Sequence, residues 1–250
     1  MILVLDIGNS RIKCGLFDNE KLTLQKSFTD SESFKLFFSQ NKIDDACICS
    51  VSPKTTEIIN EIIKNNSKLS PFIISHNSST NIKIDYETPQ TLGIDRICSI
   101  EGALSLTDKN FSFKKNSFII SMDCGTATTI NILQSPDIFL GGTISPGINL
   151  MFHSLKTNTA QLPEVDASYL KDLIGKSTTS SIASGVINSS VGLLEKTIRH
   201  VEKTYSAKNI YLYLTGGSSE NLLSYINYPF IYEKSLVLYG VFSLYKLNRK

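Results

Sequence analysis

An apolar run from Ile2 to Leu5 ends on Asp6, and a second, from Phe118 to Met122, ends in the same way on Asp123. Two residues after each Asp comes a glycine and then a small polar residue, so that Asp6-Ile7-Gly8-Asn9-Ser10 aligns with Asp123-Cys124-Gly125-Thr126-Ala127, 117 positions further on. Each copy reads as a buried strand, an acidic turn and a second strand. The surrounding pattern predicts strands over about 1–7, 11–18 and 21–28, a helix from Ser31, a strand at Ala46–Val51, a helix from Pro53 and a strand near Pro71–Ser75. Ser52 is the expected N-cap of the second helix, with Pro53 at its first position and Ile58, Ile59, Ile62 and Ile63 on its apolar side. The second half repeats the plan, with strands near 117–123, 127–134 and 137–141, a helix after Pro146, a long helix through 180–205 and a strand at Asn209–Leu214. A short helix after Gly217 and a last apolar helix from Ser235 to Leu247 complete it.

Three strands, then alternating helix and strand, twice over, describe an α/β duplication. The expected division is 1–90 and 91–250, with polar Ser75–Gln90 between the halves. The helix after Gly93, with Ile97, Ile100, Ala103 and Leu104 on its apolar side, is expected near the interdomain cleft. Lys156–Ser180, with Pro163 and Gly175 and no long periodic run, reads as a loop region.

A lone Asp-x-Gly is an ordinary β-turn in most proteins. A pair of them, each leaving a buried strand and entering another, points to chemistry. Glycine lets backbone approach closely, successive N–H groups bind an anion, and the carboxylate holds or orients a hydrated divalent cation. Two facing copies would clamp a metal-bound nucleotide between two domains. A third glycine element, Thr215-Gly216-Gly217, follows the apolar strand Ile210–Leu214, and there a flat base and ribose could lie on bare backbone.

Composition narrows the classes. The chain has 250 residues, 41% of them hydrophobic, enough for one large core or two modest ones. Basic residues number 25 against 23 acidic, and beyond Lys114-Lys115 and Arg249-Lys250 there is no basic run, so no footprint for nucleic acid exists. No apolar stretch nears the roughly 20 residues of a membrane span, and no export signal opens the chain. Cys14, Cys47, Cys49, Cys98 and Cys124 are scattered and odd in number, which suits free thiols in a reducing cytoplasm. His76, His153 and His200 are too dispersed for a metal cluster.

Phosphate turn, phosphate turn and glycine-ended strand, in that order, resemble the acetate and sugar kinase, Hsp70 and actin superfamily, and the chain is similar to its small members, the type III pantothenate kinases. The specific matches are Tyr86-Glu87-Thr88-Pro89 with Leu92-Gly93-Ile94-Asp95-Arg96, the turn Gly141-Gly142-Thr143-Ile144-Ser145-Pro146-Gly147, the segment Thr159-Ala160-Gln161-Leu162-Pro163, and Gly175-Lys176-Ser177-Thr178 with Gly185. The resemblance implies duplicated ribonuclease H-like (actin-like ATPase) domains and transfer of the ATP γ-phosphoryl group to the primary hydroxyl of pantothenate, the first step of coenzyme A biosynthesis. It implies a cytoplasmic homodimer without nucleic-acid or membrane partners. Asp6 is then the Mg²⁺-side carboxylate, with Gly8, Asn9, Ser10 and Lys13 around the phosphates. Gly125, Thr126, Thr215, Gly216 and Gly217 serve the nucleotide, and Asp123 a monovalent cation, K⁺ or NH₄⁺. Asp95 becomes the general base, and Tyr86, Gly93, Ile94, Arg96 and Thr159 the pantothenate contacts, Thr159 from the partner subunit. Lys13 has an alternative as an exposed strand lysine, Asp95 as a helix N-cap, and Arg96 as a surface ion pair.

Two departures stand out: Ser10 where Thr is commoner, and Ser218-Ser219 where an acidic residue and Ala are frequent, which touches the nucleotide contact there. Other readings remain open. An ATP-gated switch of the actin or Hsp70 kind would need room for insertions that 250 residues do not give. A regulator of transcription that had lost catalysis would not need Asp6, Asp95, Arg96 and Asp123. A kinase for another small hydroxyl acceptor shares every element named, because the fold does not select its substrate.

Overall fold

The computed structural model describes residues 1–111 and 113–249, so Lys250 of the carboxy-terminal basic pair lies outside the described residues. In chain order the elements are β1 (Ile2–Ile7), β2 (Ile12–Asp18), β3 (Lys21–Phe28), α1 (Ser31–Ser39), β4 (Asp45–Ser50), α2 (Pro53–Asn66), β5 (Phe72–Ile73), β6 (Lys83–Ile84) and α3 (Ile94–Asn110). There follow β7 (Ser117–Cys124), β8 (Ala127–Gln134), β9 (Ile138–Pro146), α4 (Ile148–Thr157), α5 (Thr178–Tyr205), β10 (Asn209–Thr215), β11 (Phe230–Tyr232) and α6 (Leu236–Asn248). Two compact units result. The first comprises Met1–Phe113, Pro136–Leu140 and Ser235–Lys250, the second Lys114–Ser135 and Gly141–Lys234. This division does not follow the break at 90/91, since α3 and α6 both pack in the first unit.

In the first unit the strand order is β3-β2-β1-β4-β5. β1 runs antiparallel to β2 and parallel to β4, so the central strand is covered on both faces and reads as one apolar run. Leu3, Leu5 and Ile7 turn to one face and join Phe34, Phe37, Phe38, Ile59 and Ile63 of α1 and α2 in the core. The opposite face carries Val4, Gly15, Phe17 and Cys47 under α6: Phe17 stacks on Phe242 with ring centroids 4.1 Å apart, and Cys47 lies against the Val241 carbonyl. Helices α3 and α6 cross at two glycines, so close that a Cβ on Gly102 would stand 2.9 Å from the Gly240 nitrogen and one on Gly240 2.9 Å from the Gly102 nitrogen.

The other sheet has six strands in the order β11-β10-β7-β8-β9-β6; five of them, β9-β8-β7-β10-β11, repeat the sequence of places in the first sheet, and β6 adds an edge beside β9. Here too the central strand pairs antiparallel with its hairpin partner and parallel with the next strand out. The duplication legible in the acidic turns therefore extends to the topology of each sheet.

Ser52 is the N-cap of α2 as expected, with Pro53 opening the helix; its carbonyl accepts the Thr56 N–H at 3.0 Å, and its side chain makes no capping bond to the helix backbone. The short strands β6 and β11 interrupt regions that read as irregular. Among the described residues, no helix is long and apolar enough to cross a membrane.

Candidate active site

Strand alternation decides which side chains meet at the first acidic turn. Asp6 lies in register with Lys13 on β2 and with Cys49 on β4, so all three share the face away from α1 and α2. Asp6 is 8% exposed, and its Oδ2 stands 3.6 Å from the Lys13 Nζ. Lys13 is thus a half-buried ion-pair partner rather than an exposed strand lysine. The Gly8 N–H closes the turn on the Arg11 carbonyl at 3.0 Å, leaving Asn9 and Ser10 exposed at its tip.

The start of α3 approaches the same place. The Cys49 thiol hydrogen-bonds with Cys98 of α3, which lowers its pKa, but burial and the charges of Asp6 and Asp95 outweigh that and push it up. Gly93 caps that helix and Asp95 is half-buried, its Oδ1 accepting the Arg96 N–H at 2.9 Å. Asp95 is inside the helix rather than its N-cap. Arg96, 5% exposed, is no surface ion pair: its guanidinium carbon lies 5.9 Å from the Tyr86 ring centre and 5.8 Å from that of Phe139. Ile94 is buried beneath this turn.

The second acidic turn collects the glycine motifs of the second unit. Asp123 pairs in register with Thr215 of β10 and Thr129 of β8, and the Gly125 N–H bonds the Ala127 carbonyl at 3.0 Å. The Gly147 N–H bonds the Thr126 carbonyl at 3.0 Å, and a Cβ on Gly147 would stand 2.5 Å from that same oxygen. Gly216 adopts φ +94°, a left-handed conformation that only glycine takes without strain, and a Cβ there would come within 2.5 Å of the Cys124 nitrogen and onto the Asp123 carboxylate. Ser219 is buried and its hydroxyl bonds the Gly216 carbonyl at 2.6 Å, so the residue that departs from the family pattern shapes the turn. Thr159 sits apart from this cluster in contact terms: it is exposed, and its hydroxyl bonds the Leu155 carbonyl at the end of α4, 2.7 Å away.

Sequence reasoning passed over four residues that pack around these turns: Cys49 and Cys98, grouped only among the free thiols, Phe139, and Glu101, 1% exposed on α3. Glu101 stands next to Gly102, and a glycine inside a helix is a signal of close packing. Among the described residues there is no cluster of three or more His, Cys, Asp or Glu side chains that could hold a metal. One carboxylate beside an amide-rich turn nevertheless fits Mg²⁺, which keeps several waters and takes its other ligands from substrate phosphates.

Known structures share the fold. A putative 2-dehydro-3-deoxygalactonokinase from Sinorhizobium meliloti superposes with a TM-score of 0.59 at 10% identity, covering 98% of each chain. A chain described as a putative Baf family transcriptional activator, from Campylobacter jejuni, gives 0.58 at 22% identity over 98% of this chain and 97% of its own. At such identities the likeness is one of fold: α/β units, each a mixed sheet flanked by helices. The sequence comparisons are narrower. The type III pantothenate kinase of Sulfurihydrogenibium sp. is 30% identical over 260 residues, 98% of this chain and 100% of its own. The family model for type III pantothenate kinase matches residues 2–200, and this chain belongs to that family.

Proposed function

We propose that this protein transfers the γ-phosphoryl group of ATP to the primary hydroxyl of pantothenate, giving phosphopantothenate on the way to coenzyme A. The observation that carries the reading beyond family membership is the geometry of the first unit: nearly buried Asp6 stands 3.6 Å from the Lys13 Nζ beside a turn that leaves Asn9 and Ser10 exposed, and Arg96, next to Asp95 on α3, is buried against Tyr86 and Phe139.

Phosphoryl transfer asks for charge neutralisation and in-line positioning more than for covalent chemistry. Asp6 would hold Mg²⁺, which supplies charge neutralisation on the phosphates. Lys13, half-buried beside Asp6, adds a positive charge, and Gly8, Asn9 and Ser10 offer amides and a hydroxyl. Gly125, Thr126, Thr215, Gly216 and Gly217 serve the nucleotide from the second unit, with Asp123 for K⁺ or NH₄⁺. Asp95 takes the proton from the acceptor hydroxyl as its oxygen bonds to the γ-phosphorus and the bond to the β-bridging oxygen breaks, releasing ADP. Arg96, its planar fork held against Tyr86 and Phe139, faces the acceptor's carboxylate.

A homodimer working in the cytoplasm completes the proposal, with Thr159 reaching pantothenate across the dimer. The second unit supports it with exposed Leu150, Leu173 and Ile174 and a groove of ≈ 350 Å³ lined by Met151, Leu155, Ile182 and Val186 among others. Five unbridged thiols support the reducing compartment. The test is direct: purified protein with ATP, Mg²⁺, K⁺ and pantothenate, analysed for phosphopantothenate by mass, with another hydroxy acid as the competing acceptor. No phosphorylated pantothenate at saturating ATP would overturn the reading.

A further inference from the structure

The segment that delivers Tyr86 to Arg96 is tied to α3 by a carboxyl group that the chemistry above does not use. Glu101 accepts the Asn81 N–H at 2.6 Å on one oxygen and the Asn81 side-chain amide at 2.9 Å on the other, and the Ile82 N–H bonds it as well. Directly after Ile82 comes β6, whose Lys83 and Ile84 pair with Ile138 and Phe139, and the Asp85 N–H bonds the Phe139 carbonyl at 3.0 Å. Tyr86 follows, its ring 6.3 Å from Phe139 and packed on the Arg96 guanidinium. Asn81 thus meets α3 at residue 101 and Tyr86 meets it at residue 96, so the segment runs back along the helix, over about 7.5 Å of axis at 1.5 Å per residue.

Burying a carboxyl group is costly, and burial does push the Glu101 pKa up even though the Asn81 and Ile82 donors pull it down. An apolar residue would satisfy the core at this position. What it could not do is fix two consecutive backbone amides at one height on α3. Other ties hold the segment upstream: the Ser79 N–H bonds the Asn248 side chain at 2.8 Å, and a His76 ring nitrogen meets the Leu92 carbonyl at 2.8 Å. Glu101 acts between the loop and β6, immediately before the acceptor-side residues, where the Asn81 side-chain amide also reaches the Ser243 hydroxyl at a longer 3.4 Å.

We infer that Glu101 is a positioning residue for the acceptor: by gripping the Asn81 and Ile82 amides it sets the register of 81–86 on α3, and so holds Tyr86 over Arg96 where pantothenate binds. This rests on the acceptor-side reading of Tyr86, Asp95 and Arg96 given above. Expected in steady-state kinetics is a rise of about tenfold or more in the pantothenate KM for Glu101→Leu, which keeps bulk but accepts nothing, with the ATP KM within about twofold of wild type. Asn81→Asp, which sets carboxylate against carboxylate, should do the same. Combining Asn81→Asp with Glu101→Gln reverses donor and acceptor and should bring the pantothenate KM back towards wild type. Asn248→Ala, which loosens only the upstream tie, should lower the melting temperature and leave that KM alone.

A pantothenate KM within twofold of wild type in Glu101→Leu and Asn81→Asp, alongside a lowered melting temperature, would make Glu101 merely structural and overturn the inference. If Glu101→Leu does not fold, the Asn81→Asp single and double variants decide between the two roles by the same measurement. Wild-type enzyme that phosphorylates another acceptor and not pantothenate overturns the substrate reading, and the positioning role with it.

Discussion

Replacing Gly240 by alanine should damage both stability and turnover, through a contact that involves no side chain of the site. The glycine lies in α6 where it crosses α3, and a Cβ there would land on the Cys98 carbonyl group, 2.6 Å from its carbon. Ordinary van der Waals contact begins at 3.4 Å and the Cys98 carbonyl oxygen stands closer still than the carbon, so the two backbones would have to part by more than about 0.8 Å. Neither partner is the free end of a flexible chain, which places the cost near the upper end of about 1–3 kcal/mol for overpacking. Alanine's better helix propensity returns about 1 kcal/mol. The net loss of about 2 kcal/mol corresponds to a fall of about 4–8 °C in melting temperature for a protein of this size. Cys98 is one turn on from Asp95 in α3, so the displacement reaches the proposed base, and a shift approaching 1 Å at a reacting group costs up to about a hundredfold in rate.

The measurement is a thermal melt together with kcat for Gly240→Ala, with Gly192→Ala as the control. Gly192 lies inside α5 with nothing within 4 Å of its would-be Cβ, so alanine there should raise stability by up to about 1 kcal/mol. A Gly240→Ala enzyme that melts at or above wild type, with unchanged kcat, would refute the reasoning, because the crossing would then be loose enough to admit a methyl group.

Three further outcomes are expected. Asp95→Asn should lose about 10²–10⁴-fold in kcat while still binding pantothenate by calorimetry, and near-normal turnover would remove it as the base. Activity should require K⁺ or NH₄⁺; full rates at saturating ATP with sodium or a bulky organic cation alone would contradict the role given to Asp123. The pH dependence of stability should carry the mark of Glu101: because its folded pKa is raised above the ordinary 4.5, its contribution is fully present below that value and is lost as pH rises through the folded one. The melting temperature of wild type relative to Glu101→Gln should therefore be higher at about pH 4 than at about pH 7, and the opposite order would show the bonds from Asn81 and Ile82 prevailing over burial.

What could be read from the chain divides along a physical line. β1 and β7 are buried along most of their length, so their apolar runs are continuous, and the glycine after each closes the turn with its own N–H; such signals are local, and the repeated strand–turn–strand was visible in them. Alternation also put Asp6 and Lys13 within reach of each other across a hairpin. β6 was not visible, because two residues carry no period and the strand exists only through backbone pairing with Ile138 and Phe139, far along the sequence. The place of α6 failed for a related reason. Order along the chain assigns the last helix to the second half, yet it packs on the first sheet, where Phe242 stacks on Phe17 and Leu238 comes within 3.3 Å of a would-be Cβ on Gly15. Gly15 in β2, Gly102 in α3 and Gly240 in α6 mark the surfaces that allow this approach, and each is out of place by local propensity alone. The residues that break local rules are thus the ones that report the long-range contact, and α3, wedged beneath α6 at two of them, is the element on which Asp95, Arg96 and Glu101 all stand.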